Sequence, residues 1–350
     1  MLYLSVFLIS LVLTILFVPF AKKAAFLLNA LDRPSDRKVH KGLMPRLGGL
    51  AIYIGFTCAA VIGLIVAVIR HMQLNYLALT GILLGSLVIL LIGIIDDIKS
   101  ISPTKKLVLQ ILAALIPMMF GVQINFISNP VTGILLLGYF TLPVTILWIV
   151  GITNALNFVD GLDGLASGIT AIASVTLFIV AVRIHQPGAA ILMIALAGAA
   201  IGFLRYNFNP ASIFLGDSGS MFMGYLLACC SVIGVLKSTM ILALLIPVFI
   251  MGIPIFDAAS VIMRRVRDGR HIFDADRRHL HHRLLDSGFS HKQVVVSIYI
   301  ACIFLGIGTL SVTFLRLSHA LIVMTFVLAA GVLLFYQIKR YVRRFVILEK

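Results

Sequence analysis

The sequence predicts an all-α polytopic membrane protein with eleven transmembrane helices, and three observations lead there. Hydrophobic residues fill 61% of the 350 positions and charged residues only 12%, against roughly 45–50% and about 25% in soluble domains. Mean hydropathy is +1.12, which leaves too little polar surface to cover a water-soluble core. The apolar residues form continuous runs rather than alternating ones, which argues against a β-barrel.

Eleven runs read as spans: 2–20, 47–69, 76–95, 107–122, 140–156, 165–182, 189–204, 219–236, 240–262, 294–315 and 320–338. A hydrocarbon core takes roughly 17–25 helical residues to cross. The runs 107–122 and 189–204 are the shortest, and the ninth carries Pro247 and Pro254. Asp257, near the end of that ninth run, is the sole Asp, Glu, Lys or Arg inside any run. Residues 123–139 break the pattern: Asn129-Pro130-Val131-Thr132-Gly133 is turn-like between two apolar stretches, and predicts a small external hairpin. No repeat interrupts the chain, so residues 1–350 read as one membrane domain.

Orientation follows from charge. The formal net charge is +15, which in a membrane protein points to loops held against anionic lipid and not to nucleic acid. Loops 21–46, 96–106, 205–218, 263–293 and 337–350 hold 24 of the 28 Lys and Arg residues. The positive-inside rule makes that side cytoplasmic, with the N-terminus outside and the C-terminus inside. No cleavable signal peptide is expected, since no Lys or Arg precedes the first run. The four cysteines, Cys58, Cys229, Cys230 and Cys302, sit in apolar runs without metal or disulfide spacing.

All 13 acids, twelve of them Asp, fall on the cytoplasmic side or at its span ends. Topology does not require this, so short carboxylates on that face point to chemistry. Asp96 and Asp97 end the third span, where the helix dipole disfavours anions and two adjacent carboxylates repel without a cation or proton between them. A solvated helix end is the plain alternative. Asn154, Asn157, Asp160 and Asp163 are spaced three apart and share a face if helical; helix capping would need one such residue, not four. Gly216-Asp217-Ser218-Gly219 opens the eighth span and offers backbone N–H groups for phosphate and a carboxylate for a metal, or simply a capped helix start.

Two basic segments complete the face. Loop 263–293 carries Arg264, Arg265 and the cluster His279, His281 and His282. Zinc is one reading of the histidines; the many nearby arginines favour an anion site. Segment 32–49 is basic and turn-rich and includes Lys41. Carboxylates for a divalent cation, with Arg, Lys and His for phosphates, suit phosphoryl transfer. Mg²⁺ fits best, with Mn²⁺ as an alternative, because Mg²⁺ takes one or two carboxylates plus substrate phosphates.

With these segments assembled, the chain resembles the polyprenyl-phosphate N-acetylhexosamine-1-phosphate transferase superfamily, in its bacterial undecaprenyl-phosphate GlcNAc-1-phosphate transferase branch. The resemblance runs from about residue 30 to 293, through DRKVHKGLMPRLGG, GIIDD, NALNFVDGLDG, FNPASIFLGDSGS and DRRHLHHRLL. It implies a Mg²⁺-dependent reaction in which UDP-GlcNAc and undecaprenyl phosphate give undecaprenyl-diphospho-GlcNAc and UMP, at the start of teichoic acid, common antigen or O-antigen synthesis. It also implies an active site on the cytoplasmic face of the cell membrane, built from loops 21–46, 96–106, 157–164, 205–218 and 263–293.

Residue by residue, the resemblance implies that Asp217 is the principal metal ligand. Asp96 and Asp97 match an Asp pair with metal or base roles. By the same resemblance Asn157, Asp160 and Asp163 match residues near nucleotide and diphosphate, Phe214 matches an aromatic that stacks on uracil, and His279, His281 and His282 match a histidine motif near the diphosphate. Lys41, Arg264 and Arg265 are further candidates for substrate binding. The motif His-Leu-His-His-Arg-Leu departs from the three consecutive histidines of muramoyl-pentapeptide transferases, which makes UDP-GlcNAc the expected donor and that enzyme the alternative.

A transporter is the rival from another class, but it would place charge at span centres or show repeats. The acceptor tail needs a groove open to lipid, and the ninth span, with Pro247, Gly252 and Pro254, is the expected wall. Monomer and homodimer stay open.

Overall fold

A computed structural model gives the architecture of residues 1–32, 42–129, 133–235 and 288–314, with the single positions 263, 267 and 325. The described residues form nine α-helices: α1 (Leu2–Leu27), α2 (Gly48–Ile69), α3 (Tyr76–Lys99), α4 (Pro103–Met119), α5 (Thr141–Val159), α6 (Leu165–Arg183), α7 (Pro187–Asn207), α8 (Gly216–Val235) and α9 (His291–Phe314). Each predicted run within these residues falls on one helix. Run 240–262, with Pro247, Gly252, Pro254 and Asp257, and run 320–338 apart from position 325 lie outside the described residues. Among the described residues seven helices are long and apolar enough to cross a membrane: α1, α2, α3, α5, α6, α7 and α9. The chain is a multi-pass membrane protein.

Local chemistry sets the helix ends. The Asn75 side chain accepts the Ala78 N–H at 3.2 Å and starts α3. Pro103 and Pro187 open α4 and α7 at positions where a missing N–H costs nothing. Several helices overrun their apolar runs. α3 continues through Asp96 and Asp97 to Lys99, α5 through Asn157 to Val159, and α4 starts before Lys106. Parts of the predicted loops 96–106 and 157–164 are therefore helix ends. Hydropathy marks the hydrocarbon thickness, whereas a helix persists as long as its backbone bonds close.

The core centres on α7. Its most apolar window is 83% buried, against 28% for α1. α1, α2 and α6 pack around α7; α8 lies against α2, α3 and α5; α4 lies along α3 and α5; α9 packs on α6. α7 is rich in Ala and Gly, which lets neighbouring backbones approach, and the Ser10 hydroxyl of α1 donates to the Ala195 carbonyl at 2.6 Å. Leu4, Leu8, Val12, Leu16 and Phe20 form an exposed stripe on the other side of α1.

Among the described residues there are also two antiparallel ribbons. β3 (Phe126–Asn129) pairs with β4 (Gly133–Leu136), with Asn129 opposite Gly133; this is the predicted hairpin. β1 (Leu31–Asp32) pairs with β2 (Met44–Pro45). The second ribbon was not predicted, because strands of two residues are too short to alternate visibly.

Candidate active site

The site forms where the ends of α3, α4, α5 and α8 meet. The chain after β2 runs beside the approach to α8: Phe214 N–H donates to the Pro45 carbonyl at 2.8 Å, and Gly48 and Gly49 N–H donate to the carbonyls of Phe214 and Leu215 at 3.1 and 3.0 Å. Phe214, half-buried, is thereby held beside Arg46. Gly216 then turns with φ +75°, and a Cβ there would lie 2.0 Å from the Arg46 carbonyl oxygen. Only glycine fits that turn.

Asp96 and Asp97 do not share one cation; they diverge. Asp97 accepts the N–H groups of Asp217 and Ser218 at 2.8 and 3.0 Å, one on each carboxylate oxygen. It caps α8, so these two N–H groups, expected to meet phosphate, are taken by protein. Asp96 accepts the Ile101 N–H at 2.6 Å and faces Lys106 Nζ at 2.8 Å. Lys106 Nζ also lies 2.8 Å from Asp217 Oδ1 and 3.4 Å from Asn157 Oδ1. Lys106 is thus the cation between two carboxylates from α3 and α8.

Asn157 completes this layer. Its amide donates to Asp217 Oδ1, and to Ser220 Oγ at 2.8 Å. One turn deeper, Gln110 and Asn154 exchange amide hydrogen bonds at 3.3 and 2.7 Å, and Gln110 also reaches Met221 Sδ at 3.0 Å. This second layer sets the register of α4, α5 and α8 beneath the first. Arg46 spans the opposite side, at 3.7 Å from Asp32, 3.8 Å from Asp97 and 3.7 Å from Asp217. These separations exceed hydrogen-bond length, and the guanidinium side chain is 31% exposed.

The face predicted for Asn154, Asn157, Asp160 and Asp163 breaks at Val159, where α5 ends. Asp160 begins a turn. Loss of hydration, and then the carboxylates of Asp217 and Asp97, hold its carboxyl well above the usual carboxylate range. Asp163 turns to the loop after α7, where its Oδ2 accepts from Asn209 Nδ2 at 3.1 Å and from the Ala211 N–H at 3.0 Å. It fastens the turn instead of joining the carboxylates around Lys106.

The family description glycosyl transferase family 4 matches residues 79–235, a stretch that holds every carboxylate around Lys106. A Bacillus subtilis protein named "Probable undecaprenyl-phosphate N-acetylglucosaminyl 1-phosphate transferase" is 39% identical over 299 residues, covering 84% of this chain and 80% of that one. The Escherichia coli K12 undecaprenyl-phosphate alpha-N-acetylglucosaminyl 1-phosphate transferase is 30% identical, over 85% of this chain and 81% of its own. A Mycobacterium tuberculosis decaprenyl-phosphate N-acetylglucosaminephosphotransferase is 37% identical, over 78% and 73%. The chain belongs to glycosyl transferase family 4.

In this family 4 member, the fold brings together Asp96, Asp97, Asn157 and Asp217, with Asp160 close enough to feel their charge. Lys41, Arg264, Arg265, His279, His281 and His282 lie outside the described residues. Lys106, Arg46 and Ser220 belong to the site but were not among the predicted site residues. Lys106 reads in sequence as a topology anchor before an apolar run, and its spacing of four from Gln110 was the available signal. Among the described residues no three His, Cys, Asp or Glu side chains form a ready metal cage. The donor set fits a cation held in the Mg²⁺ manner, by one or two carboxylates plus phosphate oxygens. Of these carboxylates Asp217 would be the one to hold it, because its Oδ2 faces only the distant Arg46 guanidinium among the contacts above.

Proposed function

We propose that this protein transfers N-acetylglucosamine 1-phosphate from UDP-GlcNAc to undecaprenyl phosphate, giving undecaprenyl-diphospho-GlcNAc and UMP. The observation that carries the reading is Lys106, held between Asp96 and Asp217 with Asn157 at one rim of the helix bundle. The names of the similar proteins from Bacillus subtilis and Escherichia coli point the same way. The fuller topology belongs to this reading: eleven spans in the cytoplasmic membrane, the N-terminus outside, and the site on the cytoplasmic face, with the histidines and arginines of segment 263–293 as the groups expected to read the sugar diphosphate.

The chemistry is mainly charge management. An acceptor phosphate oxygen forms a bond to the β-phosphorus of UDP-GlcNAc, the bond from that phosphorus to the bridging oxygen breaks, and UMP leaves with the oxygen. Lys106 and Arg46 offset the charge of the meeting phosphates, and Asn157 orients Asp217. Mg²⁺, held by Asp217, would supply further charge neutralisation. Direct attack is favoured over an aspartyl-phosphate intermediate, because the carboxylates of Asp96 and Asp97 are both engaged by backbone N–H groups.

The test is release of labelled UMP from UDP-GlcNAc by the purified protein, with and without lipid phosphate and across a magnesium titration. Dependence on both is expected, with UDP-MurNAc-pentapeptide refused and turnover abolished in Asp217→Asn. Near-normal turnover in that variant would remove Asp217 from its role, and efficient use of the pentapeptide donor would overturn the choice of substrate.

A further inference from the structure

The turn between α5 and α6, residues 160–164, is fastened from two sides. On the α7 side, Gly164 N–H donates to Asn207 Oδ1 at 3.1 Å, and Asp163 Oδ2 takes the Asn209 amide and the Ala211 N–H. On the other side stands α9. Asp163 N–H donates to Nε2 of His291 at 3.1 Å, and the Tyr299 hydroxyl donates to the Gly164 carbonyl. The two α9 residues lie about two turns apart on one stripe of the helix.

Gly168 of α6 is shaped to this contact. A Cβ there would lie 2.0 Å from Tyr299 Cζ and 2.1 Å from its hydroxyl oxygen. The tyrosine reaches the Gly164 carbonyl because Gly168 leaves a notch for its ring. For His291 Nε2 to accept a hydrogen bond, the ring must be neutral with its proton on Nδ1.

A connecting turn ordinarily satisfies its backbone with water and moves. This one spends a peptide N–H and a carbonyl on side chains from a helix more than a hundred residues further along the chain. It also carries Asp160, whose carboxylate the neighbouring Asp97 and Asp217 would repel. A fastening that resists such displacement acts on the geometry of the site without touching substrate.

We propose that His291 and Tyr299 are positioning residues: together they latch α9 onto the turn 160–164 and hold Asp160 in place beside Asp97 and Asp217 during transfer. The proposal rests on the transferase reading above for its effect on rate, and on geometry alone for the latch.

The test uses the full chain in detergent with His291→Leu, His291→Gln, Tyr299→Phe and Gly168→Ala. Three quantities are read: kcat and KM for UMP release, deuterium exchange of the peptide spanning 160–164, and thermal unfolding. His291→Leu, Tyr299→Phe and Gly168→Ala should each lower kcat about ten- to a hundredfold through misplacement, with KM for both substrates within about twofold. The Gln variant keeps an acceptor and should recover most of the rate. Exchange at 160–164 should quicken in the three defective variants and not in His291→Gln.

Unchanged kcat in Tyr299→Phe and His291→Leu overturns the positioning role, and so does equal loss in His291→Gln and His291→Leu. Unchanged exchange overturns the latch itself. Should His291→Leu fail to fold, Tyr299→Phe, which deletes a single oxygen atom, carries the test. If the wild-type protein releases no UMP, the transferase reading fails, while the exchange measurement still judges the latch.

Discussion

Asp97 caps the helix that carries Asp217: its two carboxylate oxygens accept the N–H groups of Asp217 and Ser218 at 2.8 and 3.0 Å. A carboxylate at the end of α3 thus fixes the first turn of α8, and the helix N-terminus favours its charge. The relationship separates two roles that adjacent aspartates could have shared, with Asp97 placing Asp217 and Asp96 holding Lys106.

Loss of the cap should show as stability. Asp97→Ala is expected to cost about 1–2 kcal/mol, and Asp97→Asn, which keeps one acceptor, less. Thermal unfolding in detergent, with and without Mg²⁺, checks this. A cap lowers the melting temperature equally in both conditions. A direct ligand role would instead abolish any rise in melting temperature seen on adding Mg²⁺ to the wild type.

Lys106 is expected to matter for rate. Lys106→Gln removes the positive charge between Asp96 and Asp217 and leaves Arg46, at 3.7 Å from Asp217, as the remaining cation beside them. UMP release should fall about 10²- to 10³-fold, with Lys106→Arg falling less. Wild-type turnover in Lys106→Gln would exclude Lys106 from the chemistry.

Beneath it, the reciprocal amide pair Gln110–Asn154 tests the second layer. Asn154→Leu strands the buried Gln110 amide, at about 1–3 kcal/mol, and Gln110→Leu costs less, because Asn154 is half-buried and keeps its bond to the Val150 carbonyl. The double variant strands neither and should melt above either single one. Additive losses in the double-mutant cycle would show that the two amides do not act as a pair.

Asp160 gives the pH dependence. Its folded pKa stands above its unfolded value, so the folded chain binds the proton more tightly. The stability this contributes is fully present below the usual carboxylate pKa of about 3.9 and is lost as pH rises toward the raised folded value. Asp160→Asn removes that loss. In the absence of divalent cations the variant should melt higher than wild type at neutral pH, with the gap closing toward acid. A lower melting temperature at neutral pH would contradict the crowding of carboxylates around Asp160.

Much of the fold was legible because hydropathy is a local sum. The nine runs within the described residues needed only their own composition to mark nine helices, and Asn129 to Gly133 announced a turn through residue type alone. The β1–β2 ribbon was not legible, since Leu31–Asp32 and Met44–Pro45 are too short for a period. The helices outrun the apolar runs at Asp97 and Asn157 because polarity marks the membrane boundary and not the last hydrogen bond of the helix.

By itself the sequence determined that this chain is a helical membrane protein of glycosyl transferase family 4, with Asp96, Asp97, Asn157, Asp160 and Asp217 near one membrane face. Motifs do this because each residue type and its neighbours lie within a few positions. Only the tertiary structure decided who pairs with whom. It set Lys106 against Asp217 across 111 positions and Asp163 against His291 across 128. It also turned Asp96 from Asp97 and drew Arg46 into the cluster. The physical reason is that a side chain's partner depends on which helix ends converge in space, and no window along the chain contains that information.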